Sequence, residues 1–107
     1  MTIDEAIDCV LIEAVLTGVV TDVEAVAADL RTIFAHNGGE LVYKRYDYSI
    51  TRTDQYYCWR GQETPMRYFA PWLQYMVKRV LEQAGMKFTG GSGGMRIIIS
   101  WSPREDS

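Results

Sequence analysis

Between Tyr43 and Arg60 the chain concentrates Tyr43, Lys44, Arg45, Tyr46, Tyr48, Arg52, Tyr56, Tyr57, Trp59 and Arg60. Rings interleaved with cations are what single-stranded nucleic-acid binders use to stack bases and neutralise phosphates. The same residue types dominate hot spots between proteins. Alternation along a strand sets Tyr43, Arg45, Tyr57 and Trp59 on the outward side, and with Arg60 they form the candidate binding surface. Arg67, Tyr68, Trp72, Tyr75 and Arg79 follow as a second aromatic and basic flank, most of it expected to pack.

Bond-making chemistry has less to work with. Cys9 and Cys58 each lie in an apolar or aromatic run, with no CxxC pair or neighbouring histidine to ligate zinc, and both read as buried free thiols. The single histidine, His36, falls near the end of an expected helix, where a positive ring complements the dipole. No nucleophile stands beside a base and an orienting group, and no carboxylate pair marks a cleft. The expectation is a non-enzymatic protein with no cofactor and no metal. Gly90–Gly94 (GGSGG) leads into a strand rather than a helix, which argues against a phosphate-cradling loop. It reads either as a natural mobile loop or as an engineered linker, and an engineered one would have no function of its own.

The elements that must position these residues divide at Glu40. Residues 1–40 carry eight acids against Arg31 alone, a net −7, whereas residues 41–107 carry ten bases against six acids, a net +4. Twelve of the thirteen aromatics lie in the second part, so an aromatic and cationic surface must come from there. Acids on the first part have a local use, because Asp4, Glu5, Asp22 and Glu24 complement helix N-termini. Thr2 with Glu5 and Thr21 with Glu24 match the capping-box spacing of two helices. In the first helix Ile3, Ile7, Val10, Leu11, Ala14 and Val15 make an apolar stripe that Ile12 and Leu16 widen beyond one side. Ile12 and Leu16 are therefore the candidate contacts with a second subunit. The second helix is expected from Asp22 to His36, ended by Asn37-Gly38-Gly39.

From Leu41 the period becomes two, giving a half-exposed strand and then a second strand over 55–60. Gly61–Thr64 reads as a polar connection, Pro65 or Pro71 as the opening of a helix with its main body at Trp72–Ala84, and Met95–Trp101 as the last strand. The order α-α-β-β-α-β predicts an α+β domain with a small three-stranded mixed sheet covered by helices, the last strand pairing in parallel. At 107 residues this is one domain, composed of an acidic helical hairpin (1–38), an aromatic and basic ββαβ part (41–107) and the 90–94 segment within it. No apolar run approaches a membrane span, and the N-terminus has neither the basic start nor the cleavage site of a secretory signal, so the expected setting is the cytoplasm, with no membrane partner. These features favour a small protein-interaction module, an inhibitor or adaptor in the size class of phage or mobile-element inhibitors, forming a homodimer or other homo-oligomer. The alternative is an RNA, single-stranded nucleic-acid or nucleotide binder using the same hairpin, which a net charge of −3 disfavours.

Overall fold

A computed structural model describes residues 1–44, 54–68, 72–93 and 96–102 of the chain. Among these residues are three helices, α1 (Ile3–Leu16), α2 (Val23–Ile33) and α3 (Leu73–Ala84). Five strands, β1 (Gly39–Lys44), β2 (Asp54–Trp59), β3 (Gln62–Pro65), β4 (Phe88–Gly93) and β5 (Arg96–Trp101), form one sheet in the order β3-β2-β1-β5-β4. The class is α+β, as the element pattern implied.

The helix ends follow local chemistry. Thr2 Oγ1 accepts the Glu5 N–H at 3.1 Å while Thr2 N donates to Glu5 Oε1 at 3.1 Å, so the capping box of α1 is present. Those hydrogen bonds, backbone first, hold the Glu5 carboxyl below its ordinary range. At α2 the cap is Asp22, whose Oδ1 accepts the Ala25 N–H at 3.2 Å, rather than the expected Thr21. α2 also stops at Ile33, short of His36. Gly85 takes the left-handed conformation (φ 72°) that closes α3, with Met86 N donating to Leu81 O.

The sheet departs from the expected three-stranded mixed arrangement in two ways. Every pairing among the described strands is antiparallel. The supposed connection after Gly61 contains β3, a four-residue edge strand against β2. Most of the Gly/Ser segment is likewise β4, in which Gly90 pairs with Ile99 and Gly91 with Ile98. Because α3 leads to the far edge as β4, the chain turns back as β5 into the place beside β1 and meets it antiparallel. A glycine-rich strand has no side chains to alternate, so the period-two signal that marks strands is missing there.

Register sorts the side chains. Leu41, Tyr57 and Ile99 stand side by side across β1, β2 and β5, and Gly39 lies opposite Trp101. The helices cover this face, and the core joins Ile7, Val26, Leu30, Ile33, Leu73, Met76, Val77 and Leu81 to Leu41, Tyr57, Ile99 and Trp101. Phe34, just past α2, rests 5.4 Å from the Trp101 ring, centroid to centroid. Gly39 is required by close approach: a Cβ there would sit 3.2 Å from Cys58 O and 3.3 Å from the Trp101 ring.

One polar group ties the layers together. Asp29 of α2 is only 2% exposed, and its carboxylate accepts the backbone N–H of Arg67 at 3.1 Å and of Tyr68 at 2.8 Å. Arg67 Nε lies 3.6 Å from the same carboxylate. Burying a carboxylate is tolerable only with such compensation, and removing it orphans two N–H donors. Asp29→Ala is therefore expected to lower unfolding stability by roughly 3 kcal/mol, on the scale of two hydrogen bonds to a charged group. Urea unfolding checks this as a lower midpoint with an unchanged slope, and an unshifted midpoint would contradict the tether.

Candidate functional site

The five residues singled out as a binding surface do not form one outward patch. β2 turns Gln55, Tyr57 and Trp59 toward the helical layer, and Tyr57, expected outward, is 3% exposed and part of the core. Alternation fixes which residues share a face but not which face the helices cover. Tyr43 is half-buried on that same side, and Arg45 lies outside the described residues. Trp59 is half-buried under His36, whose ring stacks on it at 4.3 Å and 8°. Arg60, exposed at the turn after β2, places its guanidinium 5.2 Å from the Trp59 ring centroid. His36 thus caps a tryptophan rather than the end of α2.

The other sheet face carries two polar rows on either side of a more apolar one, in which Val42 is buried. Glu40, Cys58 and Ser100 are neighbours across the strands, then Val42, Tyr56 and Ile98, then Lys44, Asp54 and Arg96. The two cations in the last row share it with a carboxylate, and Arg60 and Arg67 lie elsewhere. On this face the two described cations therefore make no continuous basic track of the kind a nucleic-acid strand needs. Burial pushes the Cys58 thiol above its ordinary value, with the neighbouring Glu40 charge adding to it. Cys58 is half-buried and Cys9, expected buried, is exposed, and both are free thiols.

A third region is apolar and open. On α1, Ile12 is 61% and Leu16 81% exposed, while on α3 Trp72 is 51% and Tyr75 52% exposed. Between the helices lies a groove of about 170 Å³ whose lining includes Val10, Ala14, Val19, Trp72, Tyr75 and Met76. Glu13 and Arg79 bridge it at 3.5 Å, and Arg79 also pairs with Glu82 at 3.1 Å. These carboxylates, Glu82 first and then Glu13, hold the Arg79 guanidinium more firmly protonated than usual. Ile12 and Leu16, proposed from sequence as intersubunit contacts, are exposed but are not among the residues lining the groove.

The second flank divides. Trp72, Tyr75 and Arg79 belong to the groove, whereas Arg67 and Tyr68 line a hollow of about 430 Å³ near the β3 edge of the sheet. Gln55, Tyr56 and Met66 line the same hollow, with Asp54 and Glu63 contributing carboxylates. Gln55 is 5% exposed, and neither atom of its amide has a hydrogen-bond partner among the described residues. Sequence reasoning missed Gln55 because it sits among aromatics that drew attention. It also missed Asp29, although a lone acid three residues from Val26 and four from Ile33 on a helix's apolar side is a signal for a buried partner.

No three His, Cys, Asp or Glu side chains among the described residues are grouped to hold a metal ion. No helix among them is long and apolar enough to cross a membrane.

The sheet also sets an alkaline limit. Burial raises the Tyr57 phenol above its ordinary 10.0, as it raises the Cys58 thiol above 9.0. Both groups bind their protons more tightly folded than unfolded, so their contribution is complete below the ordinary values and is lost as pH rises through the folded ones. The urea midpoint is expected to hold steady up to about pH 8.5 and to fall through about pH 9–11. Tyr57→Phe should blunt that fall without loss at neutral pH, since the phenol oxygen has no partner among the described residues. A flat alkaline profile in the wild type would contradict this. Comparison with protein families, with curated proteins and with solved structures finds no match to the chain.

Proposed function

We propose that the protein is a cytoplasmic, non-enzymatic interaction module that acts by binding, as an inhibitor or adaptor does, and that it self-associates as a homodimer through the face shared by α1 and α3. The observation that carries this reading is the exposure of Trp72 and Tyr75 at the groove between α1 and α3, together with the exposure of Ile12 and Leu16 on α1. Leaving a large apolar side chain in water rather than burying it forgoes roughly 1.5–3 kcal/mol, and contiguous exposed patches mark interaction sites. Trp and Tyr are also the residue types that most often dominate binding energy.

Charge supports a second copy as the occupant. α1 carries Asp4, Glu5, Asp8 and Glu13 with no base, while α3 carries Lys78 and Arg79 with the single acid Glu82. A two-fold axis sets the same patch against itself, so the acidic α1 of one protomer meets the more basic α3 of its partner. The exposed Cys9 and half-buried Cys58, both free, suit a reducing compartment. Trp59 and Arg60 lie outside the α1–α3 face and remain open to a further protein partner.

Sedimentation velocity tests the reading. The wild type is expected to sediment at twice the mass of the 12.2 kDa chain. Leu16→Glu should give monomers with an unchanged far-ultraviolet spectrum, and Trp72→Ala should weaken association by roughly tenfold or more. A wild-type monomer at every concentration would overturn the assignment.

A further inference from the structure

Among the described residues, the two edges of the sheet differ. β3, at one edge, is four residues long and carries Glu63 and Pro65, a charge and a proline of the kind that keep an edge from pairing further. β4, at the other, is six residues long and holds neither a charged residue nor a proline. The direction of its backbone groups follows from one bond. Ser102 N donates to Lys87 O at 3.2 Å, in register with the β4 and β5 pairs, which makes Lys87 and Ser102 a hydrogen-bonded pair. Bonded and non-bonded pairs alternate in an antiparallel ladder, so Thr89, Gly91 and Gly93 bond to β5 while Phe88, Gly90 and Ser92 turn their N–H and C=O groups outward. No backbone hydrogen bond outside the ladders uses those outward groups among the described residues.

Cations border this edge. On the helix-covered face the Lys78 ammonium lies 3.8 Å from where a Cβ on Gly90 would stand. Exposed Lys87 precedes the strand, and exposed Arg96 lies opposite Gly93. These cations enter no ion pair among the described residues, and Glu82 of α3 is taken by Arg79 at 3.1 Å. Gly90 and Gly91 are exposed, and nothing lies within 4 Å of where a Cβ on Gly91 would stand, so a second backbone can reach the edge unobstructed.

We propose that the outer edge of β4 takes up an extended acidic segment of a partner protein as an added strand, its backbone pairing with Phe88, Gly90 and Ser92 and its carboxylates meeting Lys78, Lys87 and Arg96. Main-chain pairing supplies the affinity of such strand addition, and the cations select the sign of the partner's charge. A second copy of β4 is disfavoured, because two-fold antiparallel pairing centred on Gly90 and Gly91 sets two Lys78 ammoniums side by side on one face. The inference rests on reading the chain as a binding module but not on the contact through α1 and α3.

Two-dimensional amide NMR of the whole protein at one fixed concentration tests the edge, with an acetylated peptide of alternating threonine and glutamate as the probe and a threonine–lysine peptide as the control. The glutamate peptide is expected to give saturable shifts centred on Phe88, Gly90 and Ser92, and the lysine peptide to bind about tenfold more weakly or less well still. Gly90→Pro removes an outward N–H without touching the ladder to β5, and should weaken the glutamate peptide about tenfold with the amide spectrum away from β4 unchanged. Lys78→Glu should weaken it about threefold or more. Self-association instead shifts amides of α1 and α3 as protein concentration rises, so failure of that contact and failure of this one are told apart. No saturable shifts, shifts centred outside β4, equal binding of the lysine peptide, or full binding by either variant would each overturn the proposal.

Discussion

The buried carboxylate of Asp29 is the interaction on which the path of the chain depends. β3 ends at one edge of the sheet, and the next strand, β4, lies at the opposite edge. The intervening chain must cross the sheet as α3, and a crossing segment is fixed only if something in the helical layer holds its start. Asp29 does so by accepting two successive backbone N–H groups from Arg67 and Tyr68. Its burial would be unfavourable without these donors and the adjacent Arg67 guanidinium, so the contact specifies one route as well as stabilising it.

From that route follow the surfaces. With α3 laid beside α1, the apolar stripe of α1 is shared between core and solvent: Ile7, Val10 and Ala14 are buried, while Ile12 and Leu16 remain outside. Trp72, at the start of α3, and Tyr75 are exposed as well, lining the groove that Glu13 and Arg79 bridge. The same tether that starts α3 also forms the wall of the hollow containing Gln55.

Much of this was legible in the sequence where side chains impose a period. α1, the body of α3 and β5 were readable because Ile, Val and Leu recur at helical spacing or alternate, and Thr2 with Glu5 gave the cap of α1. The apolar excess at Ile12 and Leu16 was readable too, and both are exposed. β4 was not, because Gly90 and Gly91 present nothing to alternate, and β3 was not, because all four of its residues are exposed. Missing those two strands led to the wrong strand count and to the expectation of a parallel pair. The orientation of Tyr57 was hidden for a different reason: a strand's pattern does not say which face the helices take. Asp29 depends on contacts made 38 and 39 residues along the chain, which local spacing does not encode.

Cys9 provides the most direct test of the central claim, that the exposed surface of α1 and α3 is a protein contact. Its thiol is exposed on the same side of α1 as Ile12 and Leu16, three and seven residues on, whereas Cys58 lies half-buried in the sheet. The rate of thiol modification, followed at each cysteine by mass spectrometry over a range of protein concentrations, reads that face without altering it. Protection of Cys9 that grows with concentration while Cys58 stays constant is the result expected. A Cys9 rate independent of concentration would contradict the claim.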